Sequence, residues 1–192
     1  MANTEKFRCA WAENNPLMRK YHDTEWGVPV HDDFLHFEFM VLDTFQAGLS
    51  WLTILKKREA FRKAFDNFDY NKVAAYTEND FNRLMNNQDI VRNKLKIQST
   101  INNAIMFKDV VGEFGSFDAF IWKFVNNKTI VNNWNNIKEI PSSSTDSDAM
   151  SKALLKKGFR FVGSTICYSY MQAAGMVNDH EIKCFRYDHF SN

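Results

Sequence analysis

From Phe34 to Phe45 the chain places apolar side chains around most of a helical circumference: Phe34, Leu35, Phe37, Phe39, Met40, Val41, Leu42 and Phe45. A helix that is apolar all round must be surrounded by protein, so this segment is read as the central, buried element. Asp32 or Asp33 caps its start, and it runs to about Ala47. It closes in Leu42-Asp43-Thr44-Phe45-Gln46-Ala47-Gly48-Leu49-Ser50-Trp51, where Gly48 and Ser50 form a corner before the next helical pattern. Small side chains at a corner let another molecule approach the backbone. Asp43, Phe45 and Trp51 flank it. An acid among aromatic rings suits a flat cationic ligand: ring faces attract its charge and the carboxylate accepts its N–H donors. A buried helix–turn–helix corner, with Asp43 as a helix-end acid, accounts for the same residues.

The other segments also read as helices. A short one spans Leu17 to Asp23, between turn signals at Asn14-Asn15-Pro16 and Trp26-Gly27-Val28-Pro29. An amphipathic one spans Leu49 to about Phe65. Short pieces follow at Asn71 to Tyr76 and after Thr77, which caps a first turn rich in acids. Further helices are expected at Asn93 to Val111, stopped by Gly112, and at Phe117 to Val125. Asn126 to Thr145 reads as an extended connector. Asp146 to Lys157 is helical with Gly158 as its stop. A tight Phe159–Gly163 hairpin follows, and Ser164 caps a last helix to Ala174 and Gly175. No strand alternation and no repeat period appear, so the fold class is all-α.

A length of 192 residues fits one domain, or two small lobes on a shared core. Eighteen Phe and five Trp exceed what packing alone usually requires. With a net charge of +1, a polyanion would have to be met by local basic clusters rather than by the global field. Such clusters stand at Lys56, Lys57, Arg58, Arg62 and Lys63, at Arg92, Lys94 and Lys96, and at Lys152, Lys156, Lys157 and Arg160. Each is equally a solvated helix face. No signal-peptide core or membrane span is read, so a cytoplasmic protein is expected.

Two constellations carry possible chemistry. Gly163 and Ser164 leave backbone N–H groups at a helix N-terminus, beside Lys157 and Arg160, which would suit a phosphate. An ordinary αα-hairpin with a glycine turn fits too. Cys9-x12-His22 near one end and His180-x3-Cys184 near the other could together supply a closed tetrahedral set for Zn²⁺, structural rather than catalytic. The long separation is unlike a compact zinc finger. Tyr21 and Trp26 flank His22, so an ion there would hold both rings, which could line a pocket around Asp43 and Trp51 or simply join the core. Cys167 lies in an apolar helix as an inert buried thiol, and His31, His36 and His189 read as surface residues.

Taken together the motifs resemble the DNA-3-methyladenine glycosylase I family of the helix–hairpin–helix glycosylase superfamily. The match begins at Arg8-Cys9-x-Trp11 and Tyr21-His22-Asp23-x-Glu25-Trp26-Gly27-Val28-Pro29. It continues through Gln46-Ala47-Gly48-Leu49-Ser50-Trp51, Lys56-Lys57-Arg58-Glu59 and Glu139-Ile140-Pro141. Lys157-Gly158-Phe159-x-Phe161-Val162-Gly163, Thr165-Ile166-Cys167-Tyr168-Ser169 and Val177-Asn178-Asp179-His180 complete it, in order, from about Arg8 to Cys184.

The resemblance implies a single glycosylase domain over 1–192, with the helix–hairpin–helix at about 146–174. It implies one structural Zn²⁺ on Cys9, His22, His180 and Cys184, joining the terminal segments. It implies a base pocket of Tyr21, Asp43 and Trp51 with Trp26 nearby, to which Phe45 is added from its place beside Asp43, and DNA contacts at Gly48, Leu49, Ser50, Lys157, Arg160, Gly163 and Ser164. The implied activity is monofunctional excision of 3-methyladenine from alkylated double-stranded DNA; a monomer without an obligate protein partner is the default expectation. A binding protein of the same fold that does not cut is the alternative. Two departures bear on this. The family's pocket carboxylate is Glu in a Leu-Glu-Gly context, where this chain has Leu42-Asp43-Thr44. A second pocket aromatic, usually Tyr, falls at Met18.

Overall fold

The computed structural model of the protein describes residues 6–190, with side chains through residue 188; residues 1–5 and the His189 side chain lie outside the description. Helix α1 (Pro16–Thr24) starts with proline in its first turn, and the Asn15 side chain accepts from the Leu17 N–H. Helix α2 (Asp33–Gln46) is capped by Asp32, which accepts from the Leu35 N–H. Every residue from His36 to Phe45 is buried, as an all-round apolar segment requires. Gly48, at φ +78°, turns the chain into α3 (Trp51–Ala64), where Ser50 caps the Thr53 N–H. The buried Lys96 ammonium donates to the carbonyls of Phe45 (2.8 Å) and Ala47 (2.5 Å), closing the carbonyl end of α2 just before the corner.

Helices α4 (Tyr70–Val73) and α5 (Glu78–Asn86) follow; Asp80 accepts from both the Thr77 N–H (2.9 Å) and its hydroxyl (3.0 Å). Helix α6 (Lys94–Phe114) runs past Gly112, the expected stop. Gly112 stays helical, and it is Gly115, at φ +85°, that ends the helix by donating to the Val111 carbonyl. Helix α7 (Phe117–Ile121) tightens into a 3-10 turn over Trp122–Val125 instead of continuing, and stops at a left-handed Asn126.

The connector after it is not purely extended. Ile130–Val131 (β1) pairs in parallel with Val177–Asn178 (β2), a 3-10 turn occupies Ile137–Glu139, and Trp134 forms a bridge with Glu181. This small ladder corrects the expectation of no strand, which two-residue strands are too short to signal by alternation. Otherwise the fold is helical. Helix α8 (Thr145–Lys156) is capped by Ser144 and followed by Gly158 at φ +91°. Gly163, not Ser164, is the N-cap of α9 (Ser164–Ala173); the Ser164 hydroxyl instead contacts Ser147 (2.8 Å) and Asp148 (2.5 Å).

The phenylalanine surplus is spent largely on packing. Phe37, Phe45, Phe61, Phe65, Phe68, Phe107, Phe117 and Phe120 are fully buried. His36, expected at the surface, is buried too; Tyr170 (2.6 Å) and Asp118 (3.1 Å) occupy its two nitrogens, which satisfies the polar atoms that burial would otherwise strand. His31 is exposed as expected. Gly175, at φ +67°, packs so tightly that a Cβ would lie 2.3 Å from the Val28 carbonyl carbon and the Pro29 nitrogen. Gly175→Ala is therefore expected to cost about 2–3 kcal/mol, from a left-handed backbone and a clash with backbone atoms that cannot swing away. In a thermal melt this is a fall of roughly 4–12 °C.

Candidate active site

A cavity of about 360 Å³ opens where α1, the corner, α9 and the connector meet. Met18 and Tyr21, three apart on α1, share the face that lines it. Trp26 follows just after α1, and Trp51 is the first residue of α3. The Tyr21 and Trp51 rings lie 5.2 Å apart between centroids, and Trp11 meets Trp26 edge-on at 5.0 Å. Ring packs of this kind fix the walls before any ligand arrives.

Asp43 lines the same cavity and is only 3% exposed. Its Oδ2 has no hydrogen-bond partner among the described residues, and neither has the Trp51 Nε1. Burial pushes the Asp43 carboxyl well above the usual carboxylate range. A buried carboxylate is costly unless a donor or cation meets it. Without such a group the neutral acid is favoured, and a donor or cation entering the cavity would favour the carboxylate. Tyr21 is pushed up by burial, then by Asp43, so its phenol stays neutral.

Phe45 is not in the pocket. It packs against Phe61 (4.7 Å) and Phe65 (6.0 Å) in the core. Two residues along a helix turn it by about 200°, away from Asp43. Met18 does line the cavity, so both departures from the family pattern stand in its wall. The sequence reading missed the far side: Thr165, Ser169 and Gln172 from α9, and Ile137, Ile140 and Ser142 from the connector. Thr165, Ser169 and Gln172 form a polar stripe at helical spacing along an otherwise apolar segment, which was a readable signal.

At the corner, Leu49 is 39% exposed, and the Ser50 hydroxyl is engaged as a helix cap. In the hairpin, Phe159 and Val162 are buried. Asn103 accepts from the Arg160 N–H and donates to its carbonyl, both at 2.8 Å. The Arg160 side chain makes no hydrogen bond or ion pair among the described residues, whereas Lys157 pairs with Glu113. Asp148 also stands beside Ser164, so the start of α9 is less electropositive than its sequence implied.

Cys9, His22, His180 and Cys184 are all buried. Ligand atoms of Cys9, His22 and Cys184 lie within 4.8 Å of one another, and the His180 ring stands 5.0 Å from that of His22. Each imidazole is held through Nδ1, His22 by Asp23 (2.8 Å) and His180 by Asn178 (2.8 Å), which leaves Nε2 as the acceptor nitrogen, the one that could bind an ion. The hydrogen bond between the two thiols pushes Cys184 down to about 5 and Cys9 upward, so without an ion Cys184 is the thiolate and Cys9 keeps its proton. His180 is pushed down to about 3 by burial and by His22. Thiolate and neutral imidazole are the forms that bind a metal. Cys167 is buried elsewhere, with its thiol raised to about 12 by burial, in keeping with an inert role.

Residues 11–187 match the family model described as methyladenine glycosylase. The chain is 49% identical over 180 residues to DNA-3-methyladenine glycosylase 1 of Escherichia coli (strain K12), covering 94% of this chain and 96% of that protein. A crystal structure of 3-methyladenine DNA glycosylase I superposes with a TM-score of 0.91 at 47% identity, over 93% of this chain and 98% of the other. A variant of 3-methyladenine DNA glycosylase I in complex with 3-methyladenine superposes with a TM-score of 0.90 at 34% identity, over 94% and 97%.

Proposed function

This chain belongs to the methyladenine glycosylase family, and from that premise we propose that the cavity beside Asp43 is its base pocket. The protein is a DNA-3-methyladenine glycosylase: it hydrolyses the N-glycosidic bond of 3-methyladenine in alkylated DNA and leaves an abasic site. The observation that carries the pocket assignment is Asp43, a wall residue of the aromatic-lined cavity whose buried Oδ2 has no hydrogen-bond partner among the described residues.

The base must leave the duplex stack to reach Asp43, and a poorly paired lesion pays less for this. Methylation at N3 makes the base cationic. The Tyr21 and Trp51 rings hold its charge and Asp43 accepts its N–H donors. A neutral adenine gains less from either contact. Water forms the new bond to C1′ and yields its proton to solvent. The bond to the base breaks, and its electron pair neutralises the departing ring. Asp43 recognises the base; no water-activating role is assigned to it.

In the same reading the Gly48–Ser50 corner meets the duplex at the lesion. Helices α8 and α9 with the hairpin between them form the helix–hairpin–helix, in which Arg160, Lys157 and the Gly163–Ser164 amides approach the phosphate backbone of double-stranded DNA. Cys9, His22 and Cys184 would hold one structural Zn²⁺, and His180, which lies outside that close group with its ring 5.0 Å from that of His22, would be the fourth ligand of a tetrahedral set with no open position. The chain acts as one domain and as a monomer, in the cytoplasm, where its DNA substrate lies. Among the described residues no helix is long and apolar enough to cross a membrane.

Release of free bases from methylated duplex DNA tests the reading. We expect 3-methyladenine without 7-methylguanine, and duplex affinity that falls steeply with salt, as phosphate contacts require. Tight lesion binding with no base release would instead favour the non-cutting binding protein, with Asp43 and Met18 as the cause.

A further inference from the structure

Asp179 follows β2, is 1% exposed and has both oxygens filled. Oδ1 accepts from Asn132 Nδ2 (2.7 Å) and Trp134 Nε1 (2.7 Å). Oδ2 accepts from the Tyr168 hydroxyl (2.8 Å) and Gln172 Nε2 (2.7 Å). The two pairs come from two walls of the pocket. Tyr168 and Gln172 are α9 residues that line the cavity. Asn132 and Trp134 begin the connector stretch that leads to the lining residues Ile137 and Ile140. Apart from Asp179, that stretch is tied down by a two-residue ladder, one bridge, the Thr129 hydroxyl on the Gly175 carbonyl and the Tyr187 hydroxyl on Asn133 Oδ1, none of which reaches α9. Burial, with the Asp179 charge, pushes the Tyr168 phenol upward, so it keeps its proton and donates.

We infer that Asp179 is a positioning residue for base recognition, clamping the connector wall to the α9 wall and so setting the width of the pocket. The inference rests on the cavity being the base pocket. Asp179 itself is absent from the cavity lining, so it acts through Tyr168, Gln172 and the connector. Asn at this position would turn an NH₂ toward one pair of donors, and that pair would be released.

The test titrates free 3-methyladenine into zinc-loaded protein, followed by tryptophan fluorescence, beside the affinity for abasic duplex DNA. Asp179→Asn is expected to bind the free base at least about 10-fold more weakly, a difference of about 1.4 kcal/mol, with abasic-DNA affinity held within about twofold. Because Asp179 adjoins His180, the second variant is Trp134→Phe. It removes one donor, keeps a ring, and lies outside both the pocket and the Cys/His cluster. We expect it to weaken base binding about threefold, again with little change for abasic DNA; if Asp179→Asn does not fold, this variant decides. Unchanged base affinity in the folded variants overturns the clamp. So do parallel losses for base and abasic DNA, which would mark Asp179 as a fold residue only. Wild-type protein that binds abasic DNA but not the base overturns the pocket reading, and the clamp with it.

Discussion

Asp43→Asn is expected to lower kcat/KM for 3-methyladenine release by roughly 100-fold, or about 2.7 kcal/mol of transition-state stabilisation. Asn keeps the volume but loses the charge that meets the cationic base, and its NH₂ opposes the base's own donors. The size follows from the worth of a hydrogen bond to a charged group, about 1.5–3 kcal/mol. The same change should stabilise the empty protein. Burial raises the Asp43 carboxyl above its ordinary 3.8. Above that pH the unfolded chain gives up a proton that the folded chain keeps. Stability therefore falls as pH rises from 3.8 until the raised value is passed, and Asn removes that loss. Activity runs the other way: the base in DNA keeps its charge as pH falls, so acidification through the raised value discharges Asp43 and weakens recognition. The mutant should lack this acid limb, and Asp43→Glu, which restores the longer carboxylate, should keep it at no less than wild-type rate. An Asn variant with wild-type kinetics and pH profile would sink the assignment.

How far the sequence led is visible in particular residues. Helix α2 was legible because an all-round apolar helix has one solution, burial; the corner was legible because Gly48 and Ser50 leave little choice of backbone. Asp43, Tyr21, Trp26 and Trp51 do meet at one cavity. Phe45 failed because proximity in sequence was read as proximity in space, while the helix turned it into the core. His36 failed because a lone histidine in an apolar run gave no sign of Tyr170 and Asp118, both more than 80 residues away. The connector was hardest. Its Asn-rich composition predicts no regular element, and it becomes a pocket wall only through distant partners such as Asp179 and Met176. Long-range hydrogen bonds leave no periodic trace, so pattern reading stops where they begin.

Chelating the zinc proposed for Cys9, His22, His180 and Cys184 is expected to lower Tm by roughly 8–16 °C. A ligand held at about a thousand times its Kd adds about 4.1 kcal/mol to the folded state. For a domain of this size each kcal/mol moves Tm by roughly 2–4 °C. The loss should reach the pocket, because His22 lies between Tyr21 and the Trp26 ring, 6.2 Å from its own. Arg8, which bonds Asp23 at 2.9 Å, and Asp23, which holds His22, pass the disturbance to the N-terminal segment. Base release should thus fall with the zinc content and return when the ion is restored. Cys184→Ser should lower the stoichiometry in the same way, since a hydroxyl does not supply the thiolate. Cys167→Ser, remote from the cluster, should leave one zinc per chain. Metal-free protein with an unchanged melt and full activity would make the four residues a buried polar cluster instead, its thiols and imidazoles satisfied by one another as in the contact between Cys184 and His22 at 3.4 Å.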